Sequence, residues 1–336
     1  MTVARGVLGA AFVSTSLLQP ASAQDIRLAQ PIDCELGETC FVQNYVDRDP
    51  GPDFQDHRCG TMGYDGHDGT DFRIADLRTM IDGVAVLAAA SGRVARVRDG
   101  EPDTGLTEDT ANDVAGRECG NGVLVEHNGF ATLYCHLRQQ SIAVEPGQQV
   151  DAGTRLGDVG LSGFTEFPHL HFEVFRIEDG AEVTLDPFDG APADQACGGP
   201  TASLWNDGLT DAMAYRERVV FPLGITNGPV TLDGIEYALY RDVPLDRQSP
   251  FLVVYARVLG LQEGDTLRVR LLGPDGTVLA SHERGPLTNA SAQQMLFTGS
   301  RRPDDGWPDG DYLATVEIAA ASGEIMGQNT FRLTLD

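Results

Sequence analysis

The amino-acid sequence predicts a mainly β protein in two parts, and three observations carry that prediction. Short runs rich in Val, Leu, Ile and aromatic residues recur along the chain, bounded by Gly, Pro, Asn and Asp, as strands between turns are. Asn128-Gly129 lies between two such runs and is the strongest short-range hairpin signal present. No long apolar repeat of helical period runs through either part.

Taken in order, residues 1–5 carry one positive charge, 6–18 form an apolar small-residue run, and Ala21-Ser22-Ala23 fits an A-x-A cleavage site. A signal peptide over 1–23 is therefore expected, with a mature chain starting at Gln24. The run is too short to span a bilayer, and no later stretch reaches the ~20 apolar residues that insertion needs. No Arg pair precedes it and no Cys follows the cleavage site, against a twin-arginine substrate or a lipoprotein. Residues 24–66, rich in Asp, Gly, Pro and Cys, read as an irregular, disulfide-tied lead-in.

Residues 67–190 form the first strand-rich unit, with candidate strands over 70–74, 84–90, 92–97, 122–127, 131–136 and 169–175. Residues 101–118, polar and strongly acidic, read as a surface loop. Asp186-Pro187-Phe188 closes the unit, and 191–201 is the linker. Residues 202–336 carry strand-like runs near 251–258, 266–272, 277–281, 294–297, 312–319 and 329–335, which suggests a small Ig-like antiparallel β-sandwich. A carbohydrate-binding or adhesive role would suit that second unit only, with Trp205 and Trp307 as its aromatic platforms.

Composition excludes several functions. The chain has 336 residues, enough for two cores, and a net charge of −26. So acidic a surface repels polyanions and anionic bilayers, against nucleic-acid partners and membrane insertion. All 24 basic residues are arginine, which rules out Schiff-base lysines, P-loops and lipoyl or biotinyl attachment sites. Six cysteines, an even number, suit an exported protein. Cys34 and Cys40 are close enough to form a small loop, and the absence of C-x-x-C argues against an all-cysteine zinc site.

The chain holds seven histidines, and four of them sit in three short segments. His169 and His171 stand two apart on a predicted strand, so both imidazoles reach one face, and Pro168 is tolerated just before it. His67 and Asp71 are separated by Gly69, which argues for a turn leading into the strand at Thr70 rather than a helix. His136 ends the second hairpin strand, after Tyr134 and Cys135. Imidazole and carboxylate are the ligands zinc prefers, and three of them leave a fourth position open for catalysis. His57, His127 and His282 carry no partner signal.

In that order, H-x-x-x-D, then T-L-Y-x-H-L, then P-H-L-H-F, the segments resemble the lysostaphin-type, or LytM-domain, zinc metallopeptidases. The phrases G-N-G-V-L-V-E-H, V-x-x-G-Q-x-V and G-x-V-G-x-S-G between them are similar to that family's framework, and the resemblance covers about residues 60 to 190. It implies an antiparallel β fold with a groove, a Zn2+ cofactor, and hydrolysis of peptide bonds in bacterial peptidoglycan outside the cytoplasm, in a periplasm or beyond the cell. It also implies His67, Asp71 and His171 as metal ligands and His136 and His169 as catalytic imidazoles; strand geometry alone leaves open which of His169 and His171 takes the metal. Zinc lowers the pKa of bound water toward ~7, one imidazole can accept a proton and another can donate to the oxyanion. A catalytically silent activator of other wall hydrolases is the rival reading, and such proteins generally lack some of these residues.

The acidic stretch 101–118 is longer than the loop many members carry there, which bears on substrate selection. Cys119 and Cys135 flank one hairpin strand and are expected to pair, leaving Cys59 for Cys197. By alternation Cys135 is expected to face away from the side that His136 faces.

Overall fold

In a computed structural model of the chain, residues 26–106, 114–199, 202–209 and 211–336 are described. The expected signal peptide and residues 107–113 of the acidic stretch lie outside them. The first part contains β1 (Cys40–Asn44), β2 (Thr70–Ile74), helix α1 (Leu77–Asp82), β3 (Ala85–Leu87), β4 (Gly92–Arg98), β5 (Asn121–Glu126), β6 (Ala131–Leu137), β7 (Gln149–Val150), β8 (Arg155–Asp158), β9 (His169–Glu178) and β10 (Ala181–Thr184). The remainder contains β11 (Val219–Thr226), helix α2 (Leu232–Glu236), β12 (Phe251–Leu261), β13 (Thr266–Leu272), β14 (Val278–Arg284), β15 (Ser291–Arg301), β16 (Gly310–Ala319) and β17 (Ile325–Leu335). The fold is mainly β, as the sequence predicts, and its paired strands are antiparallel.

An eight-stranded sheet runs β1-β2-β9-β6-β5-β4-β7, with β10 added to β9. Alternation along its central strands sends Phe72, Leu170, Phe172 and Val174 into one apolar core. The opposite face therefore receives Asp71, Arg73, His169, His171 and Glu173, since Asp71 pairs with His171 and Arg73 with His169 across the β2–β9 ladder. All five of these polar residues are buried, so this face is covered as well.

The lead-in is more ordered than expected. Its β1 extends the main sheet at the β2 edge, and Ile26, Leu28 and Ile32 fill the first core. Five residues is too short a run to leave a periodic trace, and Phe41 and Val42 are both buried, so polar alternation is absent. Leu204, Trp205 and Met213 also pack into this first core, while the second begins at Val220.

The second core lies between a three-stranded sheet, β11-β12-β15, and a four-stranded one, β14-β13-β16-β17. Alternate residues meet in it: Leu252, Val254, Ala256 and Val258 from β12 face Leu267, Val269 and Leu271 from β13 and Val316 and Ile318 from β16. β11 had no counterpart among the expected strands. Pro222, which has no N–H to give the ladder, sits in a register shift between Val220 and Leu223 and interrupts the strand signal. Trp205 and Trp307 are both buried, and the Trp307 indole N–H donates to the Ser249 carbonyl at 2.8 Å, so neither offers a flat platform to a sugar.

Three disulfides join Cys34 to Cys40, Cys59 to Cys197 and Cys119 to Cys135, each an expected pair. Such crosslinks belong to oxidising compartments outside the cytoplasm. Among the described residues no helix is long and apolar enough to cross a membrane.

Candidate metal centre

Four imidazoles and one carboxylate meet on the polar face of the main sheet. His67 comes from a turn in which its N–H donates to the Tyr64 carbonyl at 3.1 Å, just before β2 begins. Asp71 is the second residue of β2, and His171 lies directly opposite it on β9. Gly69 makes the approach possible: a Cβ there would lie 2.6 Å from the His171 ring. His169 stands two residues before His171, on the same face, as its spacing predicts.

His136 reaches the site by a different route, and the expectation for Cys135 fails with it. Cys135 is paired with His171 and so shares that residue's face, which by alternation should turn His136 toward the core. Instead the β5–β6 register shifts at this point and His136 adopts φ +60°, a left-handed conformation uncommon outside glycine. The bulge re-aims the side chain, bringing its ring to 4.7 Å from His169 and 5.9 Å from His171. Neighbours on one strand thus share a side because the pleat is broken between them.

The hub is Asp71. Its Oδ1 lies 3.1 Å from His67 Nε2, 3.0 Å from His171 Nδ1 and 3.3 Å from His169 Nε2, while its Oδ2 accepts from Asn44 Nδ2 at 2.7 Å. His67 Nε2 and His171 Nδ1 are 3.2 Å apart. Two imidazole nitrogens and a carboxylate oxygen this close form a donor set that one metal ion could share. Edges of 3.0–3.2 Å suit a tetrahedron with metal–ligand bonds of ~2.0–2.1 Å, whose edge is about 3.3 Å. Among the described residues, His67, Asp71 and His171 form the one group of His, Cys, Asp and Glu ligand atoms close enough to hold a metal ion.

Backbone carbonyls fix the tautomers. His67 Nδ1–H donates to Tyr45 O at 2.7 Å, His136 Nδ1–H to Ser162 O at 2.8 Å and His169 Nδ1–H to Phe167 O at 2.9 Å. Each bond leaves Nε2 turned into the site, where those of His67 and His169 face Asp71 Oδ1 at 3.1 and 3.3 Å. His171 is turned the other way: its Nδ1 faces Asp71, and its Nε2 lies 3.3 Å from Asp68 Oδ1. His67 would therefore ligate through Nε2 and His171 through Nδ1.

Charges follow the same layout. Burial would raise the Asp71 carboxyl, but His67, His169 and the hydrogen bonds from His169 and His171 hold it well below the usual carboxylate range. Burial opposes a charged His171, yet hydrogen bonds with Asp68 and Asp71 push its pKa up to about 10, so a metal ion bound at Nδ1 would have to displace that proton. Burial, reinforced by His169 and His171, holds His136 well below its ordinary value. Glu173, next along the same face, is pushed up to about 7 by burial and by Asp68.

Residues 65–187 match the model of peptidase family M23. The chain carries a peptidase family M23 domain. It is 34% identical over 110 residues to the cell division protein DipM of Caulobacter vibrioides, covering 32% of this chain and 15% of that protein. To the peptidoglycan DD-endopeptidase ShyA of Vibrio cholerae it is 43% identical over 56 residues, or 16% of this chain and 13% of that one. Its matched stretches thus span about one-seventh of the length of these curated relatives. Among solved structures it is similar to a zinc-containing peptidase from V. cholerae, at 26% identity and a TM-score of 0.27, covering 46% of this chain and 40% of that one.

Several residues of the centre went unread in the sequence. Glu173 continues the period of His169 and His171, a signal that was there to find. Asn44 and the Tyr45 carbonyl come from the lead-in, where no motif marks them. Tyr64 lays its ring 4.5 Å from that of His67, in a turn that reads only as a turn. Of the other histidines, His127 bonds Ser91 O and Thr132 Oγ1 at 2.9 Å each, and His57 stacks on Phe188 at 5.1 Å, both away from the centre. His282 is exposed on β14.

Proposed function

We propose that the M23 domain is a zinc-dependent endopeptidase that hydrolyses peptide bonds of bacterial peptidoglycan, in the periplasm or outside the cell. The observation that carries this reading is the convergence of three imidazole nitrogens within 3.0–3.3 Å of one buried carboxylate oxygen, Asp71 Oδ1. His67, Asp71 and His171 would hold the metal, and Asn44, Tyr45 and Asp68 would orient those ligands. Zinc bound there supplies Lewis acidity toward the scissile carbonyl and makes water a nucleophile at neutral pH. His136 and His169 present Nε2 atoms on the same side, that of His169 beside Asp71 Oδ1; one imidazole accepts the proton of the attacking water, and the other, once protonated, donates to the oxygen on which charge develops.

The rival is a chain that binds no substrate bond productively and instead activates another wall hydrolase. All five positions are filled with groups able to work, which supports the enzyme. Relatives named as DD-endopeptidases make the D,D cross-link the first bond to test. The deciding experiment is mass spectrometry of muropeptides released from purified sacculi, with metal analysis alongside. About one zinc per chain and cleaved cross-links that vanish on chelation are expected. A metal-free chain that releases nothing, yet accelerates a separate amidase, would establish the rival instead.

A further inference from the structure

Arg73 is a charged residue on the polar face of the main sheet that the chemistry above does not use. Arg73 lies two residues beyond Asp71 on β2, directly opposite His169, and is 2% exposed. A buried guanidinium is sustained only by partners. Nη1 donates to Gln43 Oε1 at 2.9 Å on neighbouring β1. Nη2 donates to Glu236 Oε2 at 2.8 Å, and Glu236 ends α2, more than 150 residues further along the chain.

Glu236 holds a second cation. Arg257 of β12, fully buried, brings Nη2 to 3.1 Å from the same Oε2, and to 3.2 Å from the Ala75 carbonyl just after β2. Two buried guanidinium groups therefore share one carboxylate, and each repels the other wherever that carboxylate is lost. Phe41, opposite Arg73 on β1, packs with Val219 and Leu259 and meets the Phe221 ring at 5.3 Å. The C-terminal strands β11 and β12 thus cover this face of the sheet beside the metal centre.

Arg73 also reaches the site through Phe167. Its Cζ lies 4.1 Å from the centroid of Phe167, a cation–π contact, and the Phe167 ring lies 4.8 Å from that of His169. Phe167 also supplies the carbonyl that accepts the His169 Nδ1–H, so it holds that imidazole from two sides. An unbroken series of contacts runs from α2 to Nε2 of His169.

We propose that Arg73 and Glu236 are positioning residues: the C-terminal part, through Glu236, holds Arg73 over the Phe167 ring and so fixes the direction in which His169 presents Nε2. This assigns the C-terminal strands a share in building the site, and it rests on the peptidase reading only for its kinetic consequence. Glu236→Gln leaves two guanidinium groups facing a neutral amide, and Arg73 withdraws from the ring. Phe167→Leu removes the ring alone. Arg73→Lys keeps the charge and the ion pair but has no planar group to lie on it.

The test uses the full, zinc-loaded chain. Glu236→Gln, Arg73→Lys and Phe167→Leu are expected to lower kcat on sacculi about tenfold at unchanged KM and zinc content. The imidazole 15N resonances of His169 should move in all three. Glu283→Gln, which breaks an exposed pair with Arg268 on the far side of the second unit, should change neither readout. Wild-type kcat with unmoved His169 resonances in Arg73→Lys and Phe167→Leu overturns the proposal, even if Glu236→Gln fails to fold. Should the wild-type chain prove inactive, the peptidase reading falls, and the His169 resonances alone decide the positioning.

Discussion

Strands β9 and β16 are each ten residues long, antiparallel to every strand they pair with, and built on opposite principles. In β16 every second residue from Tyr312 to Ile318 is buried and apolar, and the residues between are half-exposed. In β9 the first seven residues are all buried, and on one face they are His169, His171, Glu173 and Phe175. β16 does what a sandwich strand must do to bury apolar area. β9 buries two imidazoles and a carboxylate that cost free energy to desolvate and give none of the apolar return. Covered polar residues on a strand whose other face already supplies a core mark the place where the fold serves chemistry.

The two strands should therefore fail in different ways. His171→Ala is expected to lower hydrolysis by on the order of 10³ or more and to empty the metal site, which lytic assay and metal analysis would report together. Full zinc content in that variant would remove His171 from the ligand set. Ile318→Ala should do the reverse, costing about 2–5 kcal/mol in urea unfolding while the folded fraction keeps its zinc and its kcat. If Ile318→Ala instead abolished activity per folded molecule, the division between the strands would be wrong.

His136 sharpens the contrast, because it sits in the strained backbone of the β6 bulge. His136→Gly relieves φ +60° and deletes the imidazole at one stroke. Stability should stay within about 1 kcal/mol of the parent, and activity should fall about 10²–10⁴-fold. A variant as active as the parent would mean that the bulge aims its side chain at nothing the reaction uses.

Legibility in the sequence followed the range of each signal. His169 and His171 were readable because period two is a local property of a strand, and Asn128-Gly129 placed the β5–β6 hairpin for the same reason. The alternation of β12, β13 and β16 likewise announced a two-sheet core. The side on which His136 and Cys135 fall was not readable. It depends on a one-residue register shift that pairs Asn121 with Leu137, and a single extra residue in a ladder leaves no trace in composition. Asn44 and Arg73 escaped for another reason. Their roles come from partners 27 and 163 residues away, which only the assembled sheet brings near.

Buried polar groups in the first unit extend beyond the candidate metal centre, and Asp186 offers the smallest test of what they cost. It follows β10 at the closing turn, where the Phe188 N–H donates to Oδ1 at 2.9 Å while Oδ2 takes no hydrogen bond. Arg48 Nη1 is 3.7 Å from Oδ2 but is committed to Asp189 at 2.6 Å. Burial, followed by the negative charge of Asp189, pushes the Asp186 carboxyl up to about 7. The folded chain thus keeps a proton that an unfolded carboxyl gives up near pH ~3.9. The contribution of this proton to stability is whole below about pH 4 and is lost as pH rises through about 7. Asp186→Asn keeps the Oδ1 acceptor and removes the titration. Its urea midpoint should fall less than the parent's between those limits, and at pH ~8 it should be at least as stable. Parallel midpoint curves for the two chains would mean that Asp186 is ionised throughout and that Arg48 neutralises it despite its shorter bond to Asp189.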